Sequence, residues 1–385
     1  MPEKNRNRLL RGLRVRYRGR QSQIWIYLGK MLRMLLYQND WKVLPMAAMV
    51  AGLVGLVIRR RFCYHMEGTM MSALAIACVC LWNGCFNSIQ VICRERDVIK
   101  REHRSGMHIS SYIASHMIYQ ALLCILQTGI ILYVFELVGV KYPKTGLFSR
   151  FFVIDFFISL FLITYAADMM SLWISSLCHT TTAAMTVMPV ILIIQLVFSG
   201  GMMSLPDQVQ PVTEAVISNY GLKVIAAQAD YNSQPLASAW NTVERMKNNE
   251  IKGSVTIGQI LDYLSDPDNP EAGEIRGLTV SEGGVLTQEL TVGDVVELIN
   301  SDPASGQLRD QTVKIDTTVG SVINVLGEQD VRHYVEEQAK ATAQEKDYEH
   351  SRANVGSCWF SLVLFVLLFA ALSTVTLEFI DYDKR

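Results

Sequence analysis

The chain has 385 residues, half of them hydrophobic, and a formal net charge of −1. Such averages suit a soluble protein as well as a membrane protein, so they exclude neither. The distribution separates them: the apolar residues gather in runs, and a run of about 18 or more with few charges is long enough to cross a bilayer.

Basic residues repeat from Lys4 through Arg20 with no apolar stretch or small-residue cleavage site directly behind them, so this start does not read as a cleavable signal. Gln23–Gln38 is apolar on one side (Ile24, Tyr27, Leu28, Met31, Leu35, Leu36) and cationic on another (Lys30, Arg33). That pattern predicts a helix lying in the inner headgroup layer. Asn39, Asp40 and Lys42 interrupt it before the first apolar run. Six candidate spans follow, at Val43–Ile58, Met70–Cys93, Tyr112–Val138, Phe151–Leu177, Ala183–Met203 and Gly356–Glu378. The first is short and opens near Pro45.

The expected fold is mainly α, a six-helix transmembrane bundle with an amphipathic helix ahead of it. A small α+β extracytoplasmic domain is inserted between spans five and six. In residue terms, 1–42 is a basic cytoplasmic tail with the amphipathic helix. Spans one to five occupy 43–203, with a cytoplasmic connecting helix at 94–111. The acidic outer domain is 204–354, and 355–385 is the sixth span with a cytoplasmic tail.

The arginines from Arg6 to Arg20, with Lys30, Arg33 and Lys42, precede the first span, and Arg94, Arg96, Lys100, Arg101 and Arg104 follow the second. The positive-inside rule puts both regions in the cytoplasm. Both termini of a multi-pass cell-membrane protein are then inside and 204–354 is outside. Arg59, Arg60 and Arg61 oppose this assignment.

Seven of the eight cysteines, Cys78, Cys80, Cys85, Cys93, Cys124, Cys178 and Cys358, lie in or beside apolar runs without CxxC spacing. They read as buried thiols rather than a disulfide framework. No GxxxxGK[ST], HExxH or GxSxG motif occurs, and the histidines are scattered, so neither a nucleotide cradle nor a metal site is expected in this chain. A carboxylate at membrane depth costs at least about 2.5 kcal/mol on insertion scales and usually faces the bundle interior or water. Asn83, Asn87 and Asp168 are therefore candidates for a translocation path. Hydrogen bonding between helices is the alternative role for Asn83, Asn87, Gln90 and Gln195.

The outer segment repeats itself. Thr256–Leu264, Thr291–Ile299 and Thr318–Leu326 share a Thr-[Ile/Val]-Gly start and a helical apolar spacing, about 35 and 27 residues apart. Each threonine is placed to cap a short helix. Gly277–Ser281, Val285–Leu290 and Thr312–Ile315 read as strands beside them, and Val331–Arg352 as a charged helix leading into the last span.

The stretch Asn83–Gln120 carries the densest information. Its run Glu95-Arg96…Arg101-Glu102…Gly106…Ser110-Ser111-Tyr112 resembles the connecting helix of type 2 ABC transporter permeases of the G-subfamily shape. Met31–Asp40 is similar to that family's amphipathic helix. Phe198-Ser-Gly-Gly201…Leu205-Pro206…Ile217–Ile225 is similar to its re-entrant stretch after span five. The resemblance covers roughly Gln23 to Asp230 and the last span, and the acidic outer domain does not map onto it.

The resemblance implies the permease subunit of an ATP-driven exporter. ATPase coupling would run through Arg94, Glu95, Arg96, Asp97, Arg101 and Glu102, and through the amphipathic helix with Lys30, Arg33, Asn39 and Asp40. The implied partners are an ABC ATPase, separate or fused in relatives, a second permease half and the lipid bilayer, with no nucleic acid. ATP and Mg would sit in the ATPase, this chain holding no cofactor, and the subunit is not itself an enzyme. A membrane-anchored receptor or scaffold using the acidic domain is the alternative. A lipid-acting enzyme is disfavoured because no nucleophile, base and orienting group come together.

Overall fold

A computed structural model describes residues 19–37, 40–201, 210–266, 270–277, 279–280, 290–301, 306 and 309–379. The chain divides into two compact units, one running to Ala237 and resuming at Ala339, the other spanning Ser238–Gln338.

In the first unit, α1 (Arg20–Tyr37) buries Leu28 and Met31 and turns Trp25, Leu32 and Leu36 outward. Apolar groups on both faces of a helix that also carries Lys30 and Arg33 suit a position within a headgroup layer. A 3-10 turn, Asp40–Lys42, leads into α2 (Val43–Ile58). Helix α3 (Met66–Ser88) passes almost directly into α4 (Val91–Arg104), with Ile89 and Gln90 between them. The helix expected over 94–111 thus starts earlier and stops sooner. Gly106, at φ +99°, turns the chain, and Ser110 and Ser111 belong to α5 (Ile109–Val138). Then come α6 (Phe152–Leu177) and α7 (Thr181–Val197), the latter capped by Thr180 accepting the Ala183 N–H at 3.2 Å.

Helix α8 (Ile217–Gln228) is the half-length element of this unit. Its 12 residues rise only about 18 Å against a hydrocarbon core of about 30 Å. All but Tyr220 and Lys223 are buried. Its first turn is held by Gln195 of α7, which accepts the Ser218 N–H at 3.0 Å through Oε1 and the Ser218 hydroxyl through its carbonyl. At the other end Gln228 Nε2 donates to the Asp155 carbonyl at 3.2 Å. Gln195 thus has the inter-helix role that was its alternative in the sequence.

The second unit contains most of α9 (Ala237–Met246), then β1 (Glu250–Thr256), α10 (Ile257–Ser265), α11 (Pro270–Arg276) and β2 (Thr279–Val280). It continues with β3 (Leu290–Thr291), α12 (Val292–Ser301), β4 (Thr312–Thr318), α13 (Val319–Leu326) and most of α14 (Glu328–Ala343). Strand β1 pairs antiparallel with β4, from Glu250↔Thr318 to Thr256↔Thr312, and β2 pairs with β3. The three repeats become three strand-then-helix steps in which the last strand residue caps the helix. Thr256 accepts the Gln259 N–H at 3.3 Å, Thr291 that of Asp294 at 3.2 Å, and Thr318 that of Ser321 at 3.2 Å. Gln259 and Asp294 return the bond to the Thr256 and Thr291 amides, at 3.2 and 2.9 Å, completing reciprocal capping boxes. Leu261, Leu264 and Val296 form the small core.

The repeat glycines follow from close approach. A Cβ on Gly258 would stand 3.2 Å from the Arg309 carbonyl oxygen, and one on Gly320 3.0 Å from that of Lys247. Each helix start leans on the chain entering the other strand of the β1–β4 pair. Gly320 N–H donates to Lys247 O at 2.8 Å and Ile257 N–H to Gln311 O at 2.9 Å, so helix-start amides that lack an intrahelical partner are satisfied.

The unit Ser238–Gln338 is narrower than 204–354 because α8 and the segment after α14 pack in the bundle. The charged helix expected over 331–352 is likewise divided. It ends at Ala343, and a 3-10 turn, Lys346–Tyr348, follows. Ser351 then caps a new helix, α15 (Arg352–Glu378), by accepting the Asn354 N–H at 3.2 Å.

Among the described residues, four helical runs are long and apolar enough to cross a membrane: Met66–Arg104, Ile109–Val138, Phe152–Leu177 and Arg352–Glu378. Val43–Ile58 and Thr181–Val197 are apolar but shorter, at 16 and 17 residues. The last two residues of the predicted fifth span, Met202 and Met203, the Leu205-Pro206 pair of the predicted re-entrant stretch, and 285–289 of the predicted strand Val285–Leu290 lie outside the described residues.

Candidate functional site

The charged helix α4 is braced on two sides. On one, Lys30 of α1 reaches Glu95 Oε2 at 3.4 Å and Glu102 Oε1 at 3.8 Å. Glu95 and Glu102 are seven positions apart, two helical turns, so one ammonium serves both. Gln23 adds a polar clasp, its Nε2 donating to the Gly106 carbonyl at 3.2 Å and its Oε1 accepting the His108 N–H at 3.0 Å. Tyr27 packs edge-on against Tyr112, with ring centroids 5.6 Å apart. Burial, then the charge and hydrogen bond of Glu102, hold the Tyr27 phenol well above its ordinary pKa.

On the other side, Arg96 donates to the carbonyls of Ser176 and Cys178, at 3.0 and 3.1 Å. These lie at the C-terminal end of α6, where a cation also meets the negative end of the helix dipole. Ser175 Oγ accepts the Ile92 and Cys93 N–H groups at 3.1 and 3.3 Å, closing the start of α4 onto the same helix.

The residues singled out for ATPase coupling therefore divide. Glu95, Arg96 and Glu102 turn to α1 and α6, whereas Arg94, Asp97 and Arg101 are exposed. Arg33 is exposed on α1, and Asp40 opens the 3-10 turn after it. Asn39 lies outside the described residues.

The intramembrane polar candidates meet at a second place, between α3, α5 and α6. Ser88 donates its hydroxyl to Asp168 Oδ1, and Gln120 Nε2 donates to Ser88 Oγ at 2.6 Å. Cys124 Sγ lies 3.4 Å from Asp168 Oδ2. Asn87 and Gln127 exchange reciprocal amide bonds at 2.8 and 2.9 Å. Asp168 is fully buried, and among the described residues no cation pairs with it. Asn83 is buried one turn away, its Nδ2 without a partner among the described residues. Asn87 and Asp168 thus share one inter-helix network. Ser88, Gln120, Cys124 and Gln127 belong to it and were missed, although Gln120 and Gln127 satisfy the rule that picked out Asn83, being polar amides inside an apolar run. Gly84 was missed as well. A Cβ there would stand 2.2 Å from the Thr164 carbonyl, so α3 and α6 touch backbone to backbone.

A bundle of long apolar helices with a braced charged helix at one end fits a multi-pass membrane protein. Residues 9–220 match the family described as ABC-2 type transporter. That match covers more than half of the chain, which belongs to this family as the permease component of an ABC transporter. No curated protein matches the chain. Permease domains of the family work with an ABC ATPase and often dimerise.

Proposed function

We propose that this chain is one half of an ATP-driven exporter of the G-subfamily shape. In this reading α2 and α7 also cross the membrane, giving six spans, with α1, α4 and both termini cytoplasmic and the repeat unit outside. A separate or fused ATPase binds ATP and Mg and pushes on α4, and a second permease half, identical or different, completes the path. Asn83, Asn87 and Asp168 line or support that path.

The observation that carries this reading is the bracing of α4. Lys30, Glu95 and Glu102 tie it to α1, and Arg96 ties it to the end of α6, a helix that runs through the core of the bundle. A force delivered to the exposed Arg94, Asp97 and Arg101 would pass to α6 without an intervening flexible joint. The pair contacts are partly exposed, so their loss should cost stability no more than about 1 kcal/mol.

The test is ATPase stimulation in proteoliposomes holding the chain and its copurifying ATPase. Lys30→Glu should uncouple hydrolysis from transport at least tenfold while leaving the unfolding midpoint within a few degrees. Adding Glu95→Lys and Glu102→Lys should restore part of the coupling. Transport unchanged in Lys30→Glu, or purified protein that never retains an ATPase, overturns the proposal.

A further inference from the structure

A cavity of about 210 Å³ opens where α1, the α3–α4 junction and α5 meet, with Met185 of α7 at its edge. One wall carries two polar side chains with nothing to bond. Tyr112 and His116 stand one helical turn apart, at 1% and 3% exposure, and the Tyr112 hydroxyl and both His116 ring nitrogens have no partner among the described residues. Their rings meet edge to face, 4.6 Å between centroids, and both line the cavity. Leaving a buried polar group unsatisfied costs about 1–3 kcal/mol, which a ligand bonding there would recover.

The rest of the lining selects the ligand. Met31, Met34, Phe86 and Leu123 make an apolar wall, and the two methionines can reshape around a guest. The charged residues of the lining are already engaged: Lys30 with Glu95 and Glu102, and Arg94 with a partner of its own. Neither an anion nor a cation is called for. An imidazole offers a donor and, when uncharged, an acceptor, and a phenol does both, so the matching group is a hydroxyl. The volume is below the ~300–1,000 Å³ of drug-sized pockets, which limits the body to one ring or a short chain.

We propose that this cavity is a binding site for a small uncharged amphipathic alcohol or phenol, its hydroxyl at Tyr112 and His116 and its apolar body against Met31, Met34 and Phe86. Binding is a property of the chain alone and needs no ATPase, so this proposal and the transport reading can fail separately.

The test titrates 4-propylphenol, and its methyl ether 4-propylanisole, into the full chain in lipid nanodiscs. Saturation-transfer NMR follows binding, with empty nanodiscs subtracting lipid partition. The phenol should saturate at one site per chain and bind at least threefold more tightly than the ether, which cannot donate. His116→Phe removes the polar end and Met31→Trp fills the cavity; each should weaken the phenol at least tenfold in protein whose unfolding midpoint matches wild type. Non-saturating uptake, equal binding of phenol and ether, or undiminished binding by folded His116→Phe and Met31→Trp overturns the site. The phenol–ether comparison is made on the unaltered chain, so it decides the hydroxyl's role even if a variant fails to fold.

Discussion

Between Gly84 and Arg96, α3 and α4 meet α6 at partners 80 to 83 positions further along: Ser88 with Asp168, Ile92 with Ser175, Arg96 with Ser176. The nearly constant offset means that two distant helices run side by side in the same direction. In the repeat unit the recurring contacts lie three positions apart: Thr256 with Gln259, Thr291 with Asp294, Thr318 with Ser321. One unit is specified by distant pairings, whereas in the other each helix start adds a local cap to a distant strand pair. A single change should therefore propagate through the bundle, whereas loss of one cap in the repeat unit should stay confined to its own helix.

The comparison breaks most visibly at Gly84. Gly84→Leu would drive a side chain into the Thr164 backbone, which cannot rotate away. The expected loss is about 3 kcal/mol, at the upper end of overpacking costs, read as a lowered unfolding midpoint and loss of the monodisperse species in detergent. Next is Asp168→Ala, which strips the acceptor from the buried Ser88 hydroxyl. About 1–3 kcal/mol should be lost, with the bundle unfolding earlier as one transition.

The caps should behave differently. Thr256→Val, Thr291→Val and Thr318→Val should each cost about 1 kcal/mol. Hydrogen exchange should speed up in the affected helix while α3 and α6 keep their protection. Loss of bundle protection in any of these variants would end the distinction between distant and local specification.

The smallest effect is with pH. Hydrogen bonds from the Thr291 hydroxyl, then from its backbone amide, hold the Asp294 carboxyl below its ordinary pKa. A depressed carboxylate contributes stability that is present above its unfolded pKa and is lost as pH falls through the folded one. A carboxyl carbon-13 titration should therefore show Asp294 ionising below free aspartate, with α12 amide shifts following the same midpoint. Thr291→Val should move that midpoint up.

How legible each unit was follows from the same contrast. The threonine caps and helix starts of the repeat unit could be read directly because their signals lie within four residues. The bounds of α2 also coincide with its apolar run. The break at Ile89–Gln90 was hidden, because hydrophobicity continues through Cys93 while the helix restarts. The Lys30 contacts with Glu95 and Glu102 were hidden for another reason. Each residue was visible as a charge, but which cation meets which carboxylate depends on where α1 settles, 65 positions away from Glu95. Gly84 carried only the weak sign of a small residue in a span. The polar network was half legible: Asn87 and Asp168 stood out from their runs, while Ser88 and Cys124 did not.

The glycine contacts of the β1–β4 pair tie two copies of the repeat, the first and the third, into one folding unit. Gly258 leans on Arg309 and Gly320 on Lys247, so each copy finishes the other and neither is complete alone. Gly293 repeats the arrangement against Arg276, a basic residue again. Removing either the first or the third copy would leave a strand without its neighbour and a helix start without its carbonyl, so a fragment cut between β1 and β4 should not hold its fold.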